Sequence, residues 1–469
     1  MNPPFVHELV PSPDPGEAIA RFADRPGVLL LESALPRPGL GRYSFLTADP
    51  FETFELQRPA FGENPFAPIA ASLERFRVEP VADLPPFQGG AAGLLGYELG
   101  GAWERIPVRG ADELQIPALA VGLYDWAIAW DHERGRAWII SQGFPETEPK
   151  ARSRRAEVRM REALVRLDAK PASERRASPA MESGDGKTGG AEIAGPASDF
   201  SRAEYLRAVE RVIEYIRAGD IFQANLSQRL QFALPESPLA LYSRLRRLNR
   251  APMAGYFAWD DWAVASASPE RFVRVDVGGA VETRPIKGTR HRGSLPEADL
   301  FTRDELRESI KDQAENVMIV DLMRNDLSRV CRPGSIRVPR LCAVETYATV
   351  QHLVSEVHGT LAEGKSVWDL FAATLPGGSI TGAPKVRAME IIAELEPTVR
   401  GPYCGNLFYV GYDGRADSSI LIRTFAIRHG RLQCGVGGGI VAQSDPADEY
   451  AETMHKAEGM LRALRESRE

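Results

Sequence analysis

Between Asp168 and Phe200 the sequence reads DAKPASERRASPAMESGDGKTGGAEIAGPASDF, rich in Ala, Gly, Ser and Pro and almost free of large apolar residues. Such a stretch has too little apolar surface to offset the entropy of ordering it, so 168–199 is expected to be a flexible linker or surface excursion. A core must then come from the flanking regions, 1–167 and 200–469. Both carry strand signals. GVLLLES (27–33) and LAVGLYDWAIAWDHERGRAWIIS (119–141) read as strands, the last two runs joined by a turn at DHERGR. After the linker, Ser201 and Glu204 form a capping box, Tyr205, Val209, Val212, Ile213 and Ile216 recur at helical spacing, and Gly219 ends the helix. Strands follow in YFAWDDWAVASAS and ERFVRVDVGGAVETRPI, then a long helical stretch from about Glu297 to Val330 and another helix from near Pro384. Hairpins interleaved with helices, without regular β-α-β alternation, predict an α+β fold with antiparallel sheets.

Composition removes several function classes. A net charge of −7 over 469 residues argues against nucleic acid as the main partner. No apolar run reaches the length of a membrane span, and MNPPFVHELVPSPDPGE does not read as a secretory signal. The four cysteines (331, 342, 404, 434) are scattered, as expected of reduced thiols in a cytosolic protein. With seven histidines and no H-E-x-x-H motif, zinc hydrolysis is not expected.

The residues with chemical potential are spread over several motifs. In the last helical stretch Asp445 is the expected N-cap, with Pro446 at the first helical position. Tyr450, Met454, Ala457, Leu461 and Leu464 form an apolar stripe, while Glu449, Glu452 and Lys456 share another face. That face is either solvated or, beside the upstream glycines 437–439, part of an anion site bridged by a hard cation such as Mg²⁺. DQAENVMIVDLMRNDLSRV sets Glu315 and Asp321 among apolar residues, where each needs a partner. SSILIRTFAI buries Arg423, either in an ion pair or ready to grip a carboxylate. PGGSITGAPKVRAMEII leads a glycine-rich turn into a helix, but Ala383 and Pro384 exclude a P-loop. In TRPIKGTRHRG, Lys287 stands between Arg284 and Arg290; an amine crowded by cations loses its proton more readily and becomes nucleophilic. Together these describe a pocket for a small dicarboxylate beside a candidate amine nucleophile.

The motifs GDIFQANLSQR, SPERF, PIKGTRHRG, AENVMIVDLMRNDLSRV, VQHLVSEV, GGSITGAPKVRAMEII, GPYCGNLFYVGY, SSILIRT, GVGGGIV and DEYAETMHKA occur in this order. In this the chain resembles the chorismate-utilising enzymes: anthranilate synthase large subunits, isochorismate synthases and component I of aminodeoxychorismate synthase. The resemblance implies two packed antiparallel β-sheets with surrounding helices, with 1–167 contributing strands and 200–469 forming the chorismate-binding part. It implies Glu315 and Glu452, with Glu449 beside them, as Mg²⁺ ligands. Tyr403 and Arg423 match residues contacting the enolpyruvyl carboxylate, and Gly437, Gly438 and Gly439 match backbone amides around a substrate carboxylate. Ser379, Gly382, His352 and Lys456 match other pocket residues, and Glu270 a general acid for the departing 4-hydroxyl.

The same resemblance gives Lys287 a role. Anthranilate synthases usually read PIAG where this chain reads PIKG, the form of the lysine-type aminodeoxychorismate synthases. It implies attack of Lys287 on C2 of chorismate, loss of the C4 hydroxyl, and entry of ammonia at C4. Gln223 stands where water-using relatives carry a base lysine, which argues against isochorismate synthesis. No G-x-C-x-G-x-Q glutaminase signature is present, so ammonia is expected from a separate glutamine amidotransferase subunit. LLLES resembles the tryptophan pocket of relatives, with Ser33 as the contact, although strand core also explains it. An anthranilate synthase is the alternative activity. A non-catalytic regulator would be expected to have lost carboxylates such as Glu270, Glu315 or Glu452.

Overall fold

A computed structural model describes residues 3–35, 39–169, 197–234, 236–292, 296–346 and 350–466. Most of the expected 168–199 linker, residues 170–196, lies outside the described residues. Two large sheets dominate, and every named strand pair is antiparallel.

In the first sheet the strands run β1 (Phe5–Leu9), β8 (Arg136–Ser141), β7 (Trp126–Asp131), β3 (Tyr43–Thr47), β2 (Leu29–Glu32) and β11 (Met253–Trp259). They continue through β12 (Trp262–Ser268), β21 (Thr424–Arg428), β22 (Arg431–Ile440), β10 (Gln223–Ala233) and β18 (Gly382–Ala383), with β9 (Ala197–Ser198) also on β10. The second sheet runs β15 (Ile286–His291), β17 (Val350–Thr360), β14 (Ala280–Thr283), β13 (Arg271–Val275) and β20 (Ala416–Ile420). Then come β19 (Asn406–Gly411), β5 (Gly90–Leu95), β6 (Leu119–Tyr124) and β4 (Glu52–Leu56), while β16 (Arg337–Thr346) pairs with β17. The helices are α1 (Pro15–Ala20), α2 (Ala67–Arg75), α3 (Pro149–Asp168), α4 (Arg202–Arg217), α5 (Pro238–Leu248), α6 (Pro296–Glu308), α7 (Ile310–Ser328), α8 (Val367–Thr374), α9 (Lys385–Leu395) and α10 (Pro446–Arg465).

Side-chain alternation along each strand divides the core into layers. Ala92 and Leu94 of β5 meet Ala127 and Ala129 of β7 and Val264 of β12 between the sheets. The alternate residues face outward: Ile128, Trp130, Ala263 and Ala265 pack under α3, α5 and α10. On the other side, Leu95, Val121 and Val357 pack under α7 and α8. Strands buried on both faces lose the polar/apolar alternation, which is why WAIAWD is apolar nearly throughout.

The expected strand run 119–141 divides at buried Asp125: β6 lies in the second sheet and β7 in the first. The expected 297–330 helix divides at Ser309, whose hydroxyl accepts from Asp312 N–H and starts α7 as a separate N-cap. The Ser201–Glu204 capping box of α4 and the Asp445 cap of α10 form as expected. No helix among the described residues is long and apolar enough to cross a membrane.

Candidate active site

The site begins where the chain changes sheets. Between β12 and β13 it crosses through Pro269 and Glu270; between β20 and β21 it crosses back through Leu421, Ile422 and Arg423. The two crossings are stitched together. Ile420 N–H donates to the Glu270 carbonyl at 3.1 Å, and Ser268 Oγ donates to the Ile420 carbonyl at 2.5 Å. SSILIRTFAI is therefore two strands, and Arg423 sits at the bend between them with φ 52°. Glu270 and Arg423 thus stand outside the strands, where the chain passes from one sheet to the other.

Glu270 is 4% exposed, and Ser379 Oγ donates to its Oε1 at 2.8 Å. Burial raises its carboxyl to about 7, against the Ser379 hydrogen bond, the charges of Lys287 and Arg423, and the Ile286 N–H, all of which favour the anion. A carboxyl poised there is protonated or ionised according to small changes in its surroundings, as proton transfer near neutral pH requires. Burial likewise lowers the Arg423 guanidinium, opposed only by Glu270. Among the described residues no carboxylate forms an ion pair with Arg423.

Lys287 enters from β15. Among the described residues it too has no ion pair, yet its charge favours the anions of Glu270, Glu315 and Glu452, which come from three separate parts of the fold. The expected crowding by cations does not describe its surroundings. Arg284 is bound to Glu345 at 2.6 Å and Glu356 at 3.3 Å, and Arg290 to Glu305 and Asp312, each at 3.0 Å.

The three glycines form neither a turn nor a nest. Gly437–Gly439 lie in β22, extended, opposite Ser227, Leu226 and Asn225 of β10. β21 pairs with β22 only as far as Gln433, so the other edge of β22 is free of β21 at the glycines. Side chains crowd this stretch. A Cβ at Gly438 would lie 3.1 Å from Glu449 Oε2 and 3.5 Å from Glu452 Oε1. One at Gly439 would strike the Gln223 amide at 1.9 Å and come within 3.4 Å of Lys287 Nζ. The glycines thus bring Gln223, Lys287 and the α10 carboxylates around one piece of backbone. Gln223 is buried, and its Oε1 has no hydrogen-bond partner among the described residues.

α10 supplies the acidic wall. Its buried residues include Glu449, Thr453, Ala457, Met460 and Leu464, so Glu449 heads the buried seam; Tyr450 and Met454 of the expected stripe are only partly buried. Ser444 Oγ donates to Glu449 Oε1 at 2.6 Å, and Lys311 of α7 stands 3.7 Å away. Burial first, then Glu452, raises the Glu449 carboxyl; burial, then Asp312 and Glu449, raises Glu315, against Lys287 and Lys311. Glu452 is half exposed. Its partial desolvation is outweighed by Lys456, 2.6 Å away, and its carboxyl is lowered. Lys456 also donates to the Gly437 carbonyl at 2.9 Å. Asp321, by contrast, is a surface residue paired with Arg324.

Glu315, Glu449 and Glu452 are hard oxygen donors that raise or oppose one another's ionisation, the chemistry a divalent cation relieves. Among the described residues they do not close into a group of three ligands around one point. Mg²⁺ is usually held by one or two carboxylates together with water and ligand oxygens, so an open set of this kind fits it.

Tyr403 is buried against β22: a Cβ at Gly435 would meet its ring at 2.3 Å. Gly382, φ 157°, abuts the Gln223 carbonyl in β18, and His352 is buried in β17 between Thr289 and Glu345. Ser33 is elsewhere. It lines a separate cavity of about 240 Å³, with Arg42, Met253 and Arg271 among its walls. Its Oγ is within hydrogen-bond reach of the Tyr43 and Pro252 carbonyls. Sequence reasoning missed the buried pair beneath the site. Arg400 binds Glu396 through two nitrogens and donates to the carbonyls of Ile380 and Asn225. Glu396 also takes Ser227 N–H and Oγ. The spacing E-x-x-x-R just before GPYCG was the available signal.

The sequence matches the family model described as chorismate binding enzyme over residues 37–462. The chain is 38% identical to aminodeoxychorismate synthase component 1 of Salmonella typhimurium, covering 98% of each. It is 39% identical to anthranilate synthase component 1 of Thermus thermophilus, covering 96% of this chain and 95% of that one. Among solved structures, anthranilate synthase component I of Streptococcus pneumoniae superposes with a TM-score of 0.77 at 29% identity, covering 91% and 93%.

Proposed function

The chain belongs to the chorismate-binding enzymes, and from that premise we propose that it is an aminodeoxychorismate synthase component 1, aminating C4 of chorismate to give 4-amino-4-deoxychorismate. The observation that carries this reading is Lys287: an amine with no ion pair among the described residues, near Glu270 and beside Gly439.

In this mechanism Arg423 and Tyr403 take the enolpyruvyl carboxylate, and the β22 edge at Gly437–Gly439 takes the ring carboxylate. Ser379, Gly382, His352, Gln223 and Lys456 line the remainder. Glu315, Glu452 and Glu449 would hold Mg²⁺, which when bound neutralises charge on a substrate carboxylate. Lys287 Nζ, as the free amine, bonds to C2; both ring double bonds shift, C1=C2 to C1=C6 and C5=C6 to C4=C5, and the C4–O bond breaks. Glu270 gives its proton to the departing oxygen, which leaves as water. Ammonia then bonds to C4, both double bonds shift back and the C2–N bond breaks, returning Lys287. A carboxyl raised to about 7 suits the donor role. The "component 1" in the relatives' names supports a second component; we assign it as a glutamine amidotransferase supplying ammonia, with the product feeding p-aminobenzoate and folate synthesis in the cytoplasm.

Relatives named anthranilate synthase are as similar and keep the alternative open. The purified chain, incubated with chorismate, Mg²⁺ and ammonium at mildly alkaline pH, separates the two. Aminodeoxychorismate, identified by mass, from wild type and not from Lys287→Ala is the expected result. Fluorescent anthranilate from wild type overturns the reading.

A further inference from the structure

The question is why arginines flank Lys287 if their charges are engaged elsewhere. β14 and β15 lie end to end along one edge of β17, Thr283 opposite Val357 and Ile286 opposite Val354. Arg284 occupies the break. It is 8% exposed, and Glu345 of β16 and Glu356 of β17 bind its guanidinium while also binding Arg340. The start of β15 is therefore tied across β17 to the next strand. At the other end Arg290 reaches out of the sheet to Glu305 of α6 and Asp312 of α7. Lys287 is suspended between two anchors made on different elements.

The residue after it completes the arrangement. Lys287 pairs with Leu353 and Thr289 with His352, so β15 spends one extra residue, Gly288, on a single step of β17. This is a β-bulge, which locally re-aims a side chain without moving the rest of the strand. Gly288 has φ 74°, and a Cβ there would lie 2.9 Å from Leu306 Cδ1 and 3.0 Å from Asp312 Oδ1. Backbone at the bulge is thus pressed against the same two helices that hold Arg290.

Given the reading of Lys287 as the reacting amine, on which this inference rests, we propose that Arg284 and Arg290 are positioning residues. With the Gly288 bulge they aim Lys287 at the space between Glu270, Glu315, Glu452 and Gly439, and their carboxylate partners are as necessary as the arginines. A cation that acted by its field would behave in the opposite way. Removing its carboxylate partners would strengthen its effect on the amine, and removing the arginine would abolish it.

The test compares Arg290→Gln with the double variant Glu305→Gln, Asp312→Asn, and Arg284→Gln with Glu345→Gln. Turnover is measured with chorismate and ammonium. In parallel, acetic anhydride labelling of Lys287 at one pH is read by mass spectrometry, a readout independent of turnover. Positioning predicts that the Arg290 variant and its carboxylate counterpart both lose kcat by about tenfold or more, because small displacements of a reacting group are costly. KM for chorismate should change by less than about threefold, labelling should move in the same direction in both, and Arg290→Lys should recover part of the loss. Opposite directions in the arginine and carboxylate variants, or all variants within about twofold of wild type, overturn the proposal. Should Arg290→Gln not fold, Arg290→Lys and the carboxylate variants carry the comparison. Lys287→Ala separates the two readings. If it keeps wild-type turnover, the nucleophile reading fails, while the labelling still reports whether the arginines hold the side chain in place.

Discussion

The chain crosses between its sheets at Asp125 as well as at Glu270 and Arg423, and the two places treat charge differently. Asp125 joins β6 to β7, fully buried, and its carboxylate meets Arg155 at 3.3 Å and Arg159 at 3.6 Å. Both arginines come from α3, whose packing needs that anion. At the other crossing Glu270 is buried and Arg423 and Lys287 are partly buried, and none of the three has an ion pair among the described residues. The same topological device yields a closed ion cluster in one case and an open one in the other. A desolvated charge that lacks a partner costs stability; where three charged groups converge unpaired, a ligand of complementary charge is the natural partner.

Breaking the open cluster should cost activity. Lys287→Ala is expected to lower aminodeoxychorismate formation by more than about 10³-fold, measured as initial rate with ammonium, since no other described group can replace the amine. Glu270→Gln should cost roughly 10²–10⁴-fold in kcat. With free ammonia held constant, the wild-type rate should rise with pH as Lys287 loses its proton and then bend over near 7, the range in which Glu270 loses its own; a profile without that inflection, or one that keeps it in Glu270→Gln, would rule out the acid role. Stability depends on the same Glu270 proton. The folded carboxyl is raised from 4.5 to about 7, so the native state binds the proton more tightly and stability declines as pH rises across that window. The full shift corresponds to roughly 3 kcal/mol. Glu270→Gln should remove its share of the slope in chemical denaturation, leaving that of Glu98, which is also raised to about 7 by burial.

Breaking the closed cluster should cost stability alone. Asp125→Ala removes the carboxylate shared by Arg155 and Arg159, although Arg159 keeps Asp49 and Glu162 and Arg155 keeps the Phe144 carbonyl; it should destabilise by roughly 1–3 kcal/mol in urea unfolding, with kcat of the folded fraction unchanged. A loss of kcat there would erase the distinction between the crossings. Ser33→Ala, in the separate cavity, should have the smallest effect, about 1 kcal/mol in stability from the lost buried hydrogen bond to the Pro252 carbonyl and none on turnover.

Legibility in the sequence followed the range of the interaction. The capping box at Ser201 and the Asp445–Pro446 start of α10 are contacts within four residues, and both stand where the residue order places them. The face of α10 was read one position off, because a helix wheel does not say where β22 and α5 touch it; Glu449, expected on a charged face, heads the buried seam. SSILIRTFAI read as one strand because strand propensity does not register a change of sheet. For Arg284 and Arg290 the sequence showed the charges beside Lys287 and hid the carboxylates that engage them, which come from strands and helices up to 72 residues away in the case of Glu356.

What the sequence determined by itself was the α+β alternation, the family and the set of side chains available for chemistry, since these depend on local periodicity and ordered motifs. Only the tertiary structure decided which charges are neutralised and which stay open, because electrostatic partnership depends on distances of a few ångströms between segments that the order of residues does not specify.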